Sequence, residues 1–291
     1  MAEKNKIEKA KPKLLEQVHI TMRTLRYSKK TEEAYTKWIK EYVIFNDKRH
    51  PNSLSKEEVS NFLSHLAIHK QVSASTQNQA LCAIVFLYKK VLGSELGWLE
   101  DVVRAHKSQR IPVVFSKDEA KKIISFLQGV PKIIASILYG SGLRLNECLN
   151  LRVLDVDIEN KSINVRRGKG DKDRTTVLPR TLIPELSEQI SKIKEIHYRD
   201  LKDGYGETIL PDSLDLKYPN ASREFKWQFV FPADKRTRNK INGKIFRYPL
   251  HESSVQKAIK IALKKSKIEK KAASHTFRHS AREIFYSANL A

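Results

Sequence analysis

Apolar residues recur at helical spacing through the first third of the chain. Leu14, Leu15, Val18, Met22 and Leu25 fall on one stripe. Tyr35, Trp38, Ile39 and Tyr42 fall on a second, which Ser28 can cap. Ser55-Lys56-Glu57-Glu58 is a capping box ahead of Val59, Phe62, Leu63, Leu66 and Ala67. Thr76 with Gln79 repeats that signal ahead of Leu81, Ile84, Val85, Tyr88 and Leu92. Four amphipathic helices with short connections predict a small helical bundle over residues 14–105, its stripes forming the core. Residues 1–13 are charged and have no apolar stretch, so they read as a basic flexible lead-in and not as a secretory signal.

Residues 106–112, polar, basic and closed by Pro112, read as a linker to a second domain over 113–291. Ser116-Lys117-Asp118-Glu119 caps a helix carrying Ala120, Ile123, Ile124 and Leu127, and Pro131 opens the next, with Ile134, Ile137 and Leu138 inward. Gly140 and Gly142 break it, and a new helix begins near Leu143. Ile163, Val165 and Val177 alternate on either side of GKGDKD, a hairpin signal. Residues 181–200 read helical, about 203–232 read as a Gly-, Pro-, Tyr- and Trp-rich insertion, and Val255–Lys271 reads as a basic helix with Val255, Ile259, Ala262 and Leu263 inward. The predicted fold is mainly α with a small β-hairpin or sheet.

Charge narrows the partners. Lysine and arginine number 55 against 33 acidic residues, a formal charge of +22. A solvated surface does not call for that imbalance, and nucleic acid is the leading polyanion. A membrane surface fits less well, because the basic segments lack a Trp- and Phe-rich amphipathic face, and no apolar run is long enough to span a bilayer. Cys82 and Cys148 form no CxxC, which predicts a reduced cytoplasmic compartment without a disulfide framework or zinc site.

The candidate chemistry is cationic. Arg144, just past the glycine break in GSGLRLNECLNLR, can aim its guanidinium fork at a phosphate; it can equally be a helix-start arginine paired with Glu147. Lys169, at the tip of GKGDKDR, can donate a proton to a leaving oxygen, although wet hairpin tips are often Gly, Lys and Asp. Arg166, Arg167, Lys172 and Arg174 around it are candidate DNA-backbone contacts. His275 and Arg278 in HTFRHS lie one helical turn apart, so one can transfer a proton or donate to a phosphate while the other clamps it. His275 with His279 lacks a carboxylate placed as in a zinc protease, so no metal site is expected.

The ordered set of Arg144, Lys169, His275 and Arg278 resembles the tyrosine recombinases, and more closely the integron integrases. The supporting text is YSKKTEEAYTKWIKEYVIF, VSASTQNQALCAIVFLYKKVL, LYGSGLRLNECLNLR, RRGKGDKDRTTVLP, LPDSLDLKYPNASREFKWQFVFP and SHTFRHS, covering roughly residues 14–280. The LKYP…KWQFVFP part resembles the insertion particular to integron integrases. The resemblance implies a helical, SAM-like core-binding domain followed by a tyrosine-recombinase catalytic domain. It implies copies assembling on recombination-site DNA, duplex or folded single-stranded hairpins, with no cofactor, metal or ATP. A tyrosine attacks the scissile phosphate to form a 3′-phosphotyrosyl bond, and the 5′-hydroxyl of another strand resolves it. By position, Arg144, Lys169, His275 and Arg278 match the family's first arginine, hairpin lysine, histidine and second arginine. Trp227, with Tyr218 and Phe229, becomes a candidate for stacking on an extrahelical base, or a residue that packs the insertion in place.

After Ser280 the sequence reads AREIFYSANLA, and the resemblance is expected to stop there, with no counterpart of the family's second His or Trp or of its tyrosine. Tyr286, eight residues past Arg278, reads as a packing residue. The expectation is therefore a catalytic domain incomplete at its C-terminus, in a chain that binds DNA without cleaving it. The alternatives are an active recombinase whose tyrosine comes from a neighbouring copy and a non-catalytic DNA-binding regulatory remnant.

Overall fold

The computed structural model describes residues 12–94, 105–106, 111–166, 172–211, 214–240 and 242–288. The chain divides into two compact units, residues 1–110 and 111–291.

The first unit is helical among its described residues: α1 (Leu14–Thr24), α2 (Lys29–Phe45), α3 (Lys56–Ile68) and α4 (Ala74–Phe86), the last running into a π-helical turn at Leu87–Val91. Local side chains set the helix starts. Ser28 accepts from the Thr31 amide, and Ser55 with Glu58 closes the reciprocal capping box. The start of α4 differs from the pattern reading. Ser73 is its cap and accepts from the Thr76 amide, so Thr76 is the third residue of the helix. Val18, Met22, Trp38, Ile39, Tyr42, Phe62, Leu66 and Ile84 form the core. Leu25 lies outside it, because α1 ends at Thr24. Inside the core the Tyr42 and Tyr88 hydroxyls bond at 3.0 Å, and Tyr88 donates to the Pro51 carbonyl at 2.9 Å, so neither buried oxygen is orphaned. Cys82 is exposed and Cys148 is buried.

The second unit opens with α5 (Lys117–Ser125), α6 (Gly129–Gly140) and α7 (Leu145–Leu149). A three-stranded antiparallel sheet follows, β1 (Val156–Asp157), β2 (Ser162–Val165) and β3 (Arg174–Val177), then α8 (Ile183–Lys202) and the short α9 (Leu214–Lys217). A small ribbon of β4 (Thr237–Arg238) and β5 (Ile245–Phe246) precedes α10 (Glu252–Ser266) and α11 (Ser274–Ala288). The register sets the two faces of the expected hairpin. Ile163 pairs with Thr176 and Ser162 with Val177, so Ile163 and Val165 face the core while Val177 lies on the outer face and is exposed. Helix α10 stops at Ser266, short of Lys271, because Lys267 takes a left-handed conformation at φ 55°. Its inner face, Val255, Ile259, Ala262 and Leu263, packs with Ile123, Ile134, Ile137, Leu138 and Phe277.

Two neighbouring glycines have different reasons to be glycine. A Cβ at Gly140 would lie 2.4 Å from Cγ of Pro179, a forbidden approach, whereas Gly142 turns the chain into α7 at φ +64°.

The segment after α8 is fastened to the rest of this unit through Arg152. That guanidinium lies 4.4 Å from the Phe229 ring and 5.9 Å from the Trp227 ring, and it donates to the carbonyls of Trp227 (2.6 Å) and Ile209 (2.7 Å). Burial, partly offset by Asp155, lowers its pKa to about 10. Phe229 is buried, so of the three candidate stacking rings only Tyr218, exposed, and Trp227, half-buried against Arg152, reach the surface.

Candidate phosphodiester-binding site

Glu147 is the hub of the site. It sits on α7 as the third helical residue, and its Oε2 accepts from the Arg144 backbone amide at 2.8 Å, closing the helix start. Three guanidinium groups converge on the same carboxylate. Arg144 Nη1 donates to Oε1 at 2.6 Å, and Arg174, on β3, makes a forked pair at 3.1 Å and 2.5 Å. Arg278 Nη1, from α11, stands 3.6 Å from Oε2. Burial alone would raise the Glu147 carboxyl, but hydrogen bonds from Arg174 and from the backbone and side chain of Arg144 outweigh it and hold the pKa at about 2. One buried negative charge therefore organises three positive ones. Their surplus charge suits a phosphodiester, whose two unesterified oxygens match forked donors.

The loop between α6 and α7 ties the three contributing segments together with main-chain atoms. Gly142 offers its carbonyl to Arg278 Nη1 at 2.5 Å, and Ser141 offers its own to the Thr176 hydroxyl of β3 at 2.9 Å. Helix α11 is held from its other side, where the Phe277 ring packs on Phe115 at 5.0 Å between centroids and Ser280 Oγ accepts the Phe115 amide at 2.7 Å. Phe277, Ser280 and Ala281 therefore face inward, while His275 is exposed one turn before Arg278.

Of the residues picked from the sequence, Arg144 and Arg278 meet at Glu147, so the pairing of Arg144 with Glu147 is present within a wider cluster. Arg174, expected as a DNA-backbone contact, joins them there and forks onto Glu147. Arg166 is likewise engaged, its Nε 2.5 Å from the buried Asp155 carboxylate. Lys172 is exposed. Lys169 and Arg167 lie outside the described residues. Sequence reasoning missed Asp155, Thr176 and the bridging role of Glu147. The available signal was Glu147 three residues after Arg144, at capping-box spacing. Among the described residues no group of three or more potential metal ligands occurs, and no helix is long and apolar enough to cross a membrane.

Residues 14–98 match the phage integrase N-terminal SAM-like domain, and residues 114–290 match the phage integrase family itself. This chain belongs to the phage integrase family of tyrosine recombinases. The match runs past Ser280, where the resemblance was expected to stop. Relatives described as integrase/recombinase in Escherichia coli and Pseudomonas aeruginosa are each 41% identical over 92% of this chain and 80% of theirs. A tyrosine recombinase of Thermosipho africanus is 26% identical over 88% of this chain and 78% of its own. Solved structures share the fold of this recombinase. A lambda integrase dimer bound to a COC′ core site gives a TM-score of 0.60 at 13% identity, covering 94% of this chain and 89% of that one. A XerH site-specific recombinase in a post-cleavage complex with its palindromic difH substrate gives 0.59 at 14% identity, covering 96% and 75%. The mainly helical fold, with a SAM-like domain preceding a recombinase catalytic domain, is thus established, and the family's reaction is site-specific DNA recombination.

Proposed function

We propose that the protein binds recombination-site DNA of the integron type and that Arg144 and Arg278 grip the scissile phosphate, with His275 and Lys169 serving the oxygen that leaves. The convergence of Arg144, Arg174 and Arg278 on Glu147 carries this reading. Fixed guanidinium groups need no reorganisation as charge builds on a pentavalent phosphorus, so they stabilise the transition state more than the ground state. In the family's step a tyrosine oxygen bonds to phosphorus, the bond to the 5′ oxygen breaks, and that oxygen departs as a hydroxyl after taking a proton. Lys169 at the hairpin tip is the proton donor in this reading, which the sequence order of the motifs supports.

DNA is also met along α10. Lys257, Lys260 and Lys264 are exposed on its outer side, a row of cations with helical spacing. Copies assemble on the site, as suits a reaction that exchanges strands between two duplexes. The segment around 203–232 gives the preference for folded single-stranded hairpins, with Trp227 and Tyr218 as the rings that meet an unpaired base.

The residues through 291 bind and polarise the phosphate without attacking it. Tyr286 shares the continuous helix α11 with Arg278, eight positions on, which at ~1.5 Å per residue is on the order of 12 Å along the axis. On that spacing Tyr286 is not read as the attacking residue. Incubation of the polypeptide with a nicked suicide substrate, followed by a denaturing gel, tests this. No covalent adduct is expected. An adduct abolished by Tyr286→Phe assigns the attack to Tyr286, and one formed only on mixing with a second, tyrosine-bearing recombinase assigns it in trans.

A further inference from the structure

The β2–β3 hairpin carries an unusual load. Residues 166–174, RRGKGDKDR, hold five cations against two aspartates. Like charges so close together spread a hairpin unless something fixes its legs. Two carboxylates do so, one on each leg. Val165 and Arg174 form the last cross-strand pair of the ladder, so Arg166 and Arg174 stand at the hairpin's base. Arg174 forks onto Glu147, whose side chain is 8% exposed, and Arg166 donates to Asp155, whose side chain is 4% exposed. Both acids come from the single stretch that begins with α7 and ends in the 3-10 turn Val153–Asp155.

Asp155 has no role in the phosphate site itself. Its second oxygen accepts the Arg152 backbone amide at 3.0 Å, and Arg152 is the residue that holds the segment after α8. A carboxylate so deeply buried must be paired, because an isolated buried charge is strongly unfavourable. Arg166 therefore cannot leave without a cost that the hairpin's own repulsion does not supply.

We propose that Asp155 is a positioning residue of the recombination site: with Glu147 it clamps both legs of the β2–β3 hairpin, Arg166 and Arg174, at the two ends of the segment whose sequence carries Lys169. The clamp itself stands on the described geometry, while its value to the reaction rests on the reading that Lys169 serves the scissile phosphate. Arg166 and Arg174 thereby serve as the hairpin's anchors.

The two parts are tested separately on the full 291-residue chain. Amide hydrogen exchange of the free protein reads the clamp. Asp155→Asn should raise exchange across residues 162–177 by about tenfold while leaving α6 unchanged, and Asp155→Glu should restore part of the protection. Unchanged exchange in the hairpin overturns the proposal, and so does a rise spread evenly over the catalytic unit, which is plain destabilisation. Arg166→Gln, on an exposed side chain, gives the same reading if Asp155→Asn does not fold. Acylation of Lys169 by an amine-reactive ester, with and without a 30-base-pair duplex probe at low salt, reads the consequence. DNA should protect Lys169 in the wild type and protect it severalfold less in Asp155→Asn at equal occupancy. Equal protection in both overturns the positioning role. Absence of protection in the wild type overturns the assignment of Lys169 to the phosphate and with it the positioning role, and leaves the clamp, if exchange supports it, as a structural device only.

Discussion

Arg278 donates to the main-chain carbonyl of Gly142 at 2.5 Å, so the second arginine of the site is held by the turn that presents the first. The turn requires φ +64°, which a side chain strains. Gly142→Ala should therefore cost about 1–2 kcal/mol of stability and also weaken DNA binding. Urea unfolding and a binding titration measure the two effects. A stable variant with normal affinity would remove the turn from the argument.

Glu147→Gln should destabilise the catalytic unit by about 1–3 kcal/mol at neutral pH, since it leaves three partly exposed guanidinium groups without their shared, buried counter-charge. The pH dependence has a definite sign. The Glu147 pKa is depressed to about 2 in the folded protein, so its contribution is complete above the ordinary carboxylate range of about 4.5. It is lost as pH falls from there through about 2. The difference in unfolding free energy between wild type and Glu147→Gln should be constant from pH 7 to about 5 and shrink below that. A difference that grows on acidification contradicts the pairing.

DNA affinity should fall steeply with salt, as release of counterions from the backbone requires. Replacing Lys257, Lys260 and Lys264 together by alanine should flatten the plot of log affinity against log salt by about 0.9 for each phosphate no longer neutralised. These side chains lie outside the core and should leave the melting temperature within a few degrees of the wild type. An unchanged slope would place the DNA on another face.

Tyr218→Ala and Trp227→Ala separate recognition from packing. Removing a ring that stacks on an extrahelical base costs about 1–3 kcal/mol on a bulged hairpin and little on plain duplex. Trp227 also lies against Arg152, so its replacement should lower stability as well, while Tyr218→Ala should not. Equal reductions on both DNA forms for both variants would assign the segment to packing alone.

Much of the fold was legible because its causes are local. The stripes of α2, α3, α5 and α6 and the boxes at Ser55 and Ser116 are set by residues three or four apart, and they stand where the pattern puts them, while α1 loses Leu25 and α4 is capped by Ser73 in place of Thr76. The alternation of Ile163, Val165 and Val177 marks the hairpin but not the face of Val177, which depends on register and hence on the neighbouring strand. The site was legible in its residue types and less so in its partners. Arg174 meets Glu147 across 27 positions and Arg152 meets Trp227 across 75, and no spacing rule reaches that far. Nor does surplus charge show that Arg166 and Arg174 each pair with a buried acid, since Asp155 and Glu147 lie 11 and 27 positions away from them.

The joints at Ser141 and Gly142 are made through carbonyl oxygens, which every amino acid possesses. Tolerance at these two adjacent positions should accordingly split. Position 142 is constrained by shape, since only a residue at ease with positive φ can aim the oxygen at Arg278. Position 141 is constrained by little beyond size: its hydroxyl is buried without a partner in the structure, so Ser141→Ala should be neutral or slightly stabilising. Drift in the middle letter of GSG would then leave the arginine geometry intact, whereas drift in its last letter would disassemble a site whose charged residues were all still present.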